Sequence, residues 1–270
     1  MENSDFLGRR GMRRGVRLTQ SGGGRIKAMG GDIVAAKAFS RKQAIFNEKA
    51  SQYANSGVIS TPGFLRLETI MPNSAVSVFN FNTLDTSGTK TVTERRLKLS
   101  DTFTVTDISF YIGYGAATAF SPTPAQFATQ KLTTFPNPRI AALGANADNM
   151  EAIYNGFLSL RVDTTTFVDS IPMRQFYRAG TSQAGVAVST QATTGVIPAD
   201  EVPLSMYGRS ELLPSIELNG QSNIEFSITL PTAINCAAVA DNFTNCILIL
   251  QGFLNQGAAS NQRNLQRRLR

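Results

Sequence analysis

TFTVTDISFYI, residues 102–112, changes face halfway along. Phe103 and Val105 alternate with threonines, and the apolar set then moves to Ile108, Phe110 and Ile112, a slip across Asp107. Alternation with period two is the mark of a strand with one buried face, and a one-residue slip within it is what a β-bulge absorbs. This stretch predicts a bulged strand in a packed β structure.

Neighbouring segments read the same way. Leu65, Leu67 and Thr69 alternate with Arg66 and Glu68, and Leu158, Leu160 and Val162 alternate with Ser159, Arg161 and Asp163. Ile216 and Leu218, a five-residue turn at 219–223, then Ile224, Phe226, Ile228 and Leu230 predict a hairpin. Residues 245–254 are nearly all apolar, as a central strand covered on both faces requires. Further strands are expected at 75–82, 89–99, 174–178 and 184–190. Small helices are expected near 124–132, after Pro122-Thr123-Pro124, and near 149–154, where Asp148 and Glu151 resemble a capping box. Such spacing fits a sandwich or barrel and not alternating βαβ units. Upstream, Asp32 can cap a run of good helix formers in which Val34, Ala38 and Ile45 share a face, with Tyr53 at its edge, that Arg41 and Lys49 interrupt, which predicts a helix over about 33–54.

Charge divides the chain more sharply than hydropathy does. Residues 1–30 hold seven basic side chains, Arg9, Arg10, Arg13, Arg14, Arg17, Arg25 and Lys27, against Glu2 and Asp5. They also hold glycines at 8, 11, 15, 22, 23, 24 and 30, a composition that resists a fixed helix. The net charge is +5 over 1–30, +2 over 31–56, −4 over 57–255 and +4 over 256–270, where Arg263, Arg267, Arg268 and Arg270 cluster. The expected organisation is a basic arm at 1–30, a helix and linker at 31–56, a β body at 57–255 and a basic tail at 256–270. Charge confined to two ends points to a polyanionic partner there, because each phosphate neutralised by Lys or Arg releases counterions whatever the base sequence. A solvated tail, a localisation signal or an anionic lipid surface would use the same composition.

The chain contains no histidine, which removes the commonest general base, the usual triads and the usual zinc sites. Cys236 and Cys246 stand alone and are expected to be inert core thiols. Asp148/Glu151 and Asp163/Asp169 are as well explained by capping and solvated strand faces as by acid–base work. Residues 22–27, GGGRIK, lack the Walker spacing, and Gly113-Tyr114-Gly115 reads as a loop and not as a nucleotide fingerprint. The sequon at Asn242 has no secretion signal to go with it, and no apolar run approaches the roughly 20 residues of a membrane helix. No enzyme activity and no cofactor or metal is expected.

A Gly/Arg-rich arm, a helix and a Thr/Asn/Ser-rich β body with long loops together resemble the jelly-roll capsid proteins of small icosahedral viruses. AIYNGFLSLRV (152–162), LLPSIELNG (212–220) and IEFSITLP (224–231) look like stretches of bacteriophage capsid proteins. The resemblance implies a mainly β jelly-roll sandwich or barrel, with one barrel fitting 57–255 comfortably and two only if both are lean. It further implies a coat subunit, made in the host cytoplasm, that self-assembles in many copies into a virion shell beside other virion proteins. The basic residues at both ends would turn toward packaged nucleic acid or an internal membrane. A virion decoration or minor structural protein, and a non-specific nucleic-acid-binding β barrel, are the alternatives.

Overall fold

The computed structural model describes residues 30–53, 57–86, 90–117, 122–136, 147–178, 208–236 and 241–259, with side chains from residue 41 onward. Helix α1 (Gly30–Tyr53) is followed by strands β1 (Ile59–Ile70), β2 (Ala75–Asn82) and β3 (Thr102–Ala116), then the short helix α2 (Pro124–Ala128) and β4 (Lys131–Thr133). Helix α3 (Ala147–Glu151) precedes β5 (Phe157–Val162), β6 (Thr165–Pro172), β7 (Arg209–Asn219), β8 (Ile224–Asn235) and β9 (Asn242–Gln256).

All strand pairs are antiparallel and fall into two sheets. The first has the order β1-β9-β3, and β3 pairs in addition with β7 over 102–109 and with β4 over 112–114. The second has the order β2-β8-β5-β6. Leu65, Leu67, Phe103, Phe110 and Leu248 of the first sheet and Phe79, Phe81, Leu158, Phe226 and Ile228 of the second join one buried core. The protein is therefore mainly β, a sandwich of two antiparallel sheets with few helices. Alternation puts these side chains inside: along β8, Ile224, Phe226, Ile228 and Leu230 are buried while Glu225, Thr229 and Pro231 are exposed or half-covered.

The expected bulge in β3 is present. Val105 pairs with Gly252 and Asp107 with Gln251, leaving Thr106 over. A Cβ on Gly252 would overlap the Thr104 carbonyl oxygen, so glycine is required where the bulged backbone crosses. The expected central strand is β9, lying between β1 and β3 with both faces largely covered.

Several expectations are corrected. β7 and β8 are not a hairpin: Ile216 and Leu218 pair with Val105 and Phe103 in the first sheet, whereas β8 pairs with β2 and β5 in the second. The connecting turn, where Asn219 Oδ1 accepts from Gln221 N at 2.9 Å, carries the chain from one sheet to the other. Residues 90–99 form only isolated bridges, Arg66 with Arg95 and Leu84 with Leu97, because the Glu94 carboxylate takes the backbone N–H groups of Glu68 and Thr91 that a ladder would use. Residues 173–176 form a 3-10 turn that buries Met173 and Phe176 together, since side chains three apart eclipse in that geometry. The capping box belongs to α2, between Thr123 and Gln126, and Asp148 instead lies inside the first turn of α3. Helix α1 begins at Gly30, so Asp32 is within it and does not cap it. Gly113-Tyr114-Gly115 belongs to strand β3 and not to a loop. The strand expected at 184–190 lies outside the described residues.

Candidate interface: helix α1 and the outer face of the first sheet

Arg9, Arg10, Arg13, Arg14, Arg17, Arg25, Lys27, Arg263, Arg267, Arg268 and Arg270 lie outside the described residues, so the structure brings none of them together. It does show how residues 42–53 of α1 are held. From residue 41 the helix alternates two covered positions with two exposed ones, and Arg41, Lys42, Ile45, Phe46, Lys49, Ala50 and Tyr53 lie on the covered side. Ile45 and Tyr53 of this stripe belong to the expected apolar face; its chemistry is unusual because three of the seven are cations.

Lys42 and Lys49 have buried or half-buried partners. Lys42 Nζ lies 2.8 Å from Asp107 Oδ2, and Arg209 Nε donates to Asp107 Oδ1 at 2.9 Å from β7. Thr106, the bulge residue, donates to Asp107 Oδ2 at 2.6 Å. Lys49 pairs with Glu217 of β7, whose other oxygen accepts from the Tyr53 hydroxyl at 3.1 Å. The Phe46 ring packs against Phe253 of β9 with centroids 5.2 Å apart. Burial, then the Glu217 charge, pushes the Tyr53 hydroxyl above its ordinary value. Asp107 goes the other way: burial alone would raise it, but hydrogen bonds from Arg209, Lys42 and Thr106 hold it below 3.8.

The outer face of the first sheet is polar and yet covered. Thr102, Thr104, Ser109, Asn245 and Asn255 are all buried there, with Asn255 Nδ2 donating to Thr102 Oγ1 at 3.1 Å. Toward the far end of β1, the Glu68 carboxylate accepts from Arg66 Nε at 2.6 Å, Thr93 Oγ1 at 2.7 Å, Thr91 Oγ1 at 3.1 Å, Gln130 Nε2 at 3.2 Å and Asn245 Nδ2 at 3.2 Å. Beside it Arg96 and Glu94 form a buried pair at 2.8 Å. These networks fasten loops to the sheet, and both carboxylates are paired with an arginine and hydrogen-bonded, although Arg66 Nη2, Gln130 Oε1 and Asn245 Oδ1 are buried without a partner among the described residues.

Sequence reasoning does not identify Lys42, Asp107, Arg209, Glu217 or Glu68 as structural partners. A signal is present in two places: Lys49 breaking the apolar face of α1, and the carboxylate at the strand slip.

Cys236 and Cys246 are free thiols buried in the core; burial pushes Cys236 up to about 12 and Cys246 well above its ordinary value, so neither is a ready nucleophile. Asp163 accepts from Asn223 N at 2.7 Å in a turn, and Glu151 pairs with Arg174 at 3.3 Å on the surface. Among the described residues no group of three or more Asp, Glu, Cys or His side chains is placed to hold a metal, and no helix is long and apolar enough to cross a membrane. No protein-family model, curated protein or solved structure matches the chain.

Proposed function

We propose that the two sheets form a single jelly roll and that the protein is a capsid subunit, its basic ends directed toward packaged nucleic acid or an anionic internal membrane. The observation that carries this reading is the nesting of the strand pairs. Leaving the short β4 aside, the first strand pairs with the last (β1 with β9), the second with the second-last (β2 with β8), the third with β7, and β5 with β6 at the centre. That is one long antiparallel ribbon wound up on itself, with successive pairs falling alternately into the two sheets. Jelly rolls of this kind are used in viral shells as well as in lectins and cupins, so the fold alone does not select among them. Charge supports the shell: a body of net −4 between ends of +5 and +4 suits a wall that tiles with copies of itself while its ends meet a polyanion.

Electron microscopy and sedimentation of the purified full-length protein test the reading. Large closed homo-oligomers are expected, and removing residues 1–30 lowers cargo content or assembly yield while the β body stays folded. A monomer that persists at high concentration, with no particles, overturns it.

A further inference from the structure

A pocket of about 400 Å³ opens between the middle of β1, at Phe64 and Leu65, the end of β9, at Leu254 and Gln256, and residues 90–101 before β3. Its lining is basic and partly aromatic: Lys90, Arg95, Lys98 and Phe64 face Asp85 and Asp101. Of the two carboxylates only Asp85 is paired with a cation, while Asp101 is held by neutral donors. Asp85 pairs with Lys90 at 3.2 Å, and Asp101 Oδ1 accepts from Ser100 Oγ at 2.7 Å and from Gly257 N at 2.9 Å. Among the described residues neither Arg95 nor Lys98 is paired with a carboxylate. Both are exposed, and Arg95 lies over the half-exposed Phe64 ring with its guanidinium 5.2 Å from the centroid.

The walls are fixed by backbone bonds. Leu97 N donates to Thr83 O and Asp85 N to Leu97 O, both at 2.8 Å, and Arg95 exchanges two bonds of 2.9 Å with Arg66 of β1. Gly220 N donates to Asp101 O and Ala259 N to Ser100 O, both at 3.0 Å. With Lys90 paired to Asp85 and Arg96 to Glu94, Arg95 and Lys98 outnumber the one remaining carboxylate, Asp101, and the cleft offers net positive charge beside a ring-plus-guanidinium shelf, which matches what a nucleotide unit offers: a phosphodiester for the charges and a base for the shelf. An acidic peptide would use the cations and leave the shelf idle.

We propose that this pocket is a second nucleic-acid site on the body, bordered by Gln256 where the C-terminal tail begins, in which Lys98 and Arg95 hold a phosphodiester of a single strand and a base stacks on the Phe64–Arg95 shelf. The site does not depend on shell formation.

The test is photocrosslinking of a short bromodeoxyuridine-substituted single-stranded oligonucleotide to the full chain, followed by peptide mapping. Adducts are expected on the peptide carrying Phe64 as well as on the basic ends. Phe64→Leu should cut the first set about tenfold and leave the second unchanged. Arg95→Glu with Lys98→Glu should do the same and flatten the salt dependence of the Phe64 adduct by about 0.7 in log–log slope for each phosphate no longer neutralised. All three side chains are exposed, so a thermal melt like that of the unaltered protein is expected. Adducts confined to 1–30 and 260–270, or displacement of the Phe64 adduct by poly-glutamate as readily as by unlabelled oligonucleotide, overturn the proposal. Sedimentation of the same samples reads shell formation separately, so either idea can fail without the other.

Discussion

Lys42 of α1 and Asp107 of β3 meet across 2.8 Å at the one point where β3 bulges, so the irregularity in the strand also anchors residues 42–53 of α1. Asp107 is nearly inaccessible and its partners only partly so, which makes its loss costlier than that of an ordinary surface pair. Asp107→Asn should cost on the order of 2 kcal/mol in urea unfolding, because Lys42 and Arg209 lose a charged acceptor.

The same carboxylate sets a pH dependence. Its folded value lies below the ordinary 3.8, so its stabilisation is fully present above that pH and is lost as pH falls through the folded value. Unfolding midpoints measured from pH 6 downward should drop below about pH 4, and that part of the drop should vanish in Asp107→Asn.

How far the fold can be read ahead depends on whether a signal is local. The slip at Asp107, the alternation of β5 and the apolar run of β9 report burial directly, and each lies on the strand expected of it. Pairing partners are not local: Ile216 to Leu230 alternates whether its two strands pair with each other or with strands more than sixty residues away, and only the nested topology decides. β6 gives no such signal because it is an edge strand with most of its residues exposed, so it has no apolar stripe to betray it. The ion pairs under α1 are illegible because each joins residues far apart in sequence, and the basic residues at the two ends lie outside the described structure.

Two glycines facing each other across β1 and β9 should respond oppositely to alanine. Gly63 and Gly252 are paired. A Cβ at Gly63 would find its nearest neighbour, Leu254 Cβ, at 3.6 Å, an ordinary contact, whereas at Gly252 it would enter the bulged backbone at Thr104. Gly63→Ala should be neutral or stabilising by up to about 1 kcal/mol. Gly252→Ala should cost roughly 3 kcal/mol or prevent folding, as read by thermal and chemical denaturation of both variants side by side.

The two thiols should behave as reporters of unfolding. Cys236 and Cys246 are buried, and their raised values keep them protonated at pH 8. Labelling with a chromogenic disulfide reagent should therefore be slow in buffer and rapid for both in denaturing urea, with no change in the native rate after incubation with reductant. Fast native labelling of either residue would mean that its part of the core opens without global unfolding.

Glu68 should matter more than its place near the end of a strand suggests. Five side-chain donors converge on its carboxylate, and Thr91 and Thr93 among them belong to the segment that also carries Arg95 and Lys98. Removing the carboxylate leaves the Arg66 guanidinium without this partner and strips that segment of two of its ties to the sheet. Glu68→Ala should lower stability by about 3 kcal/mol. Because Lys90, Arg95, Arg96 and Lys98 are trypsin sites, brief proteolysis should cut between 90 and 98 far faster in the variant than in the unaltered protein. Glu68→Gln, which keeps the shape and most acceptors but not the charge, should fall between the two. Equal cleavage in all three would show that the segment is held by its backbone bonds to Thr83 and Arg66 alone.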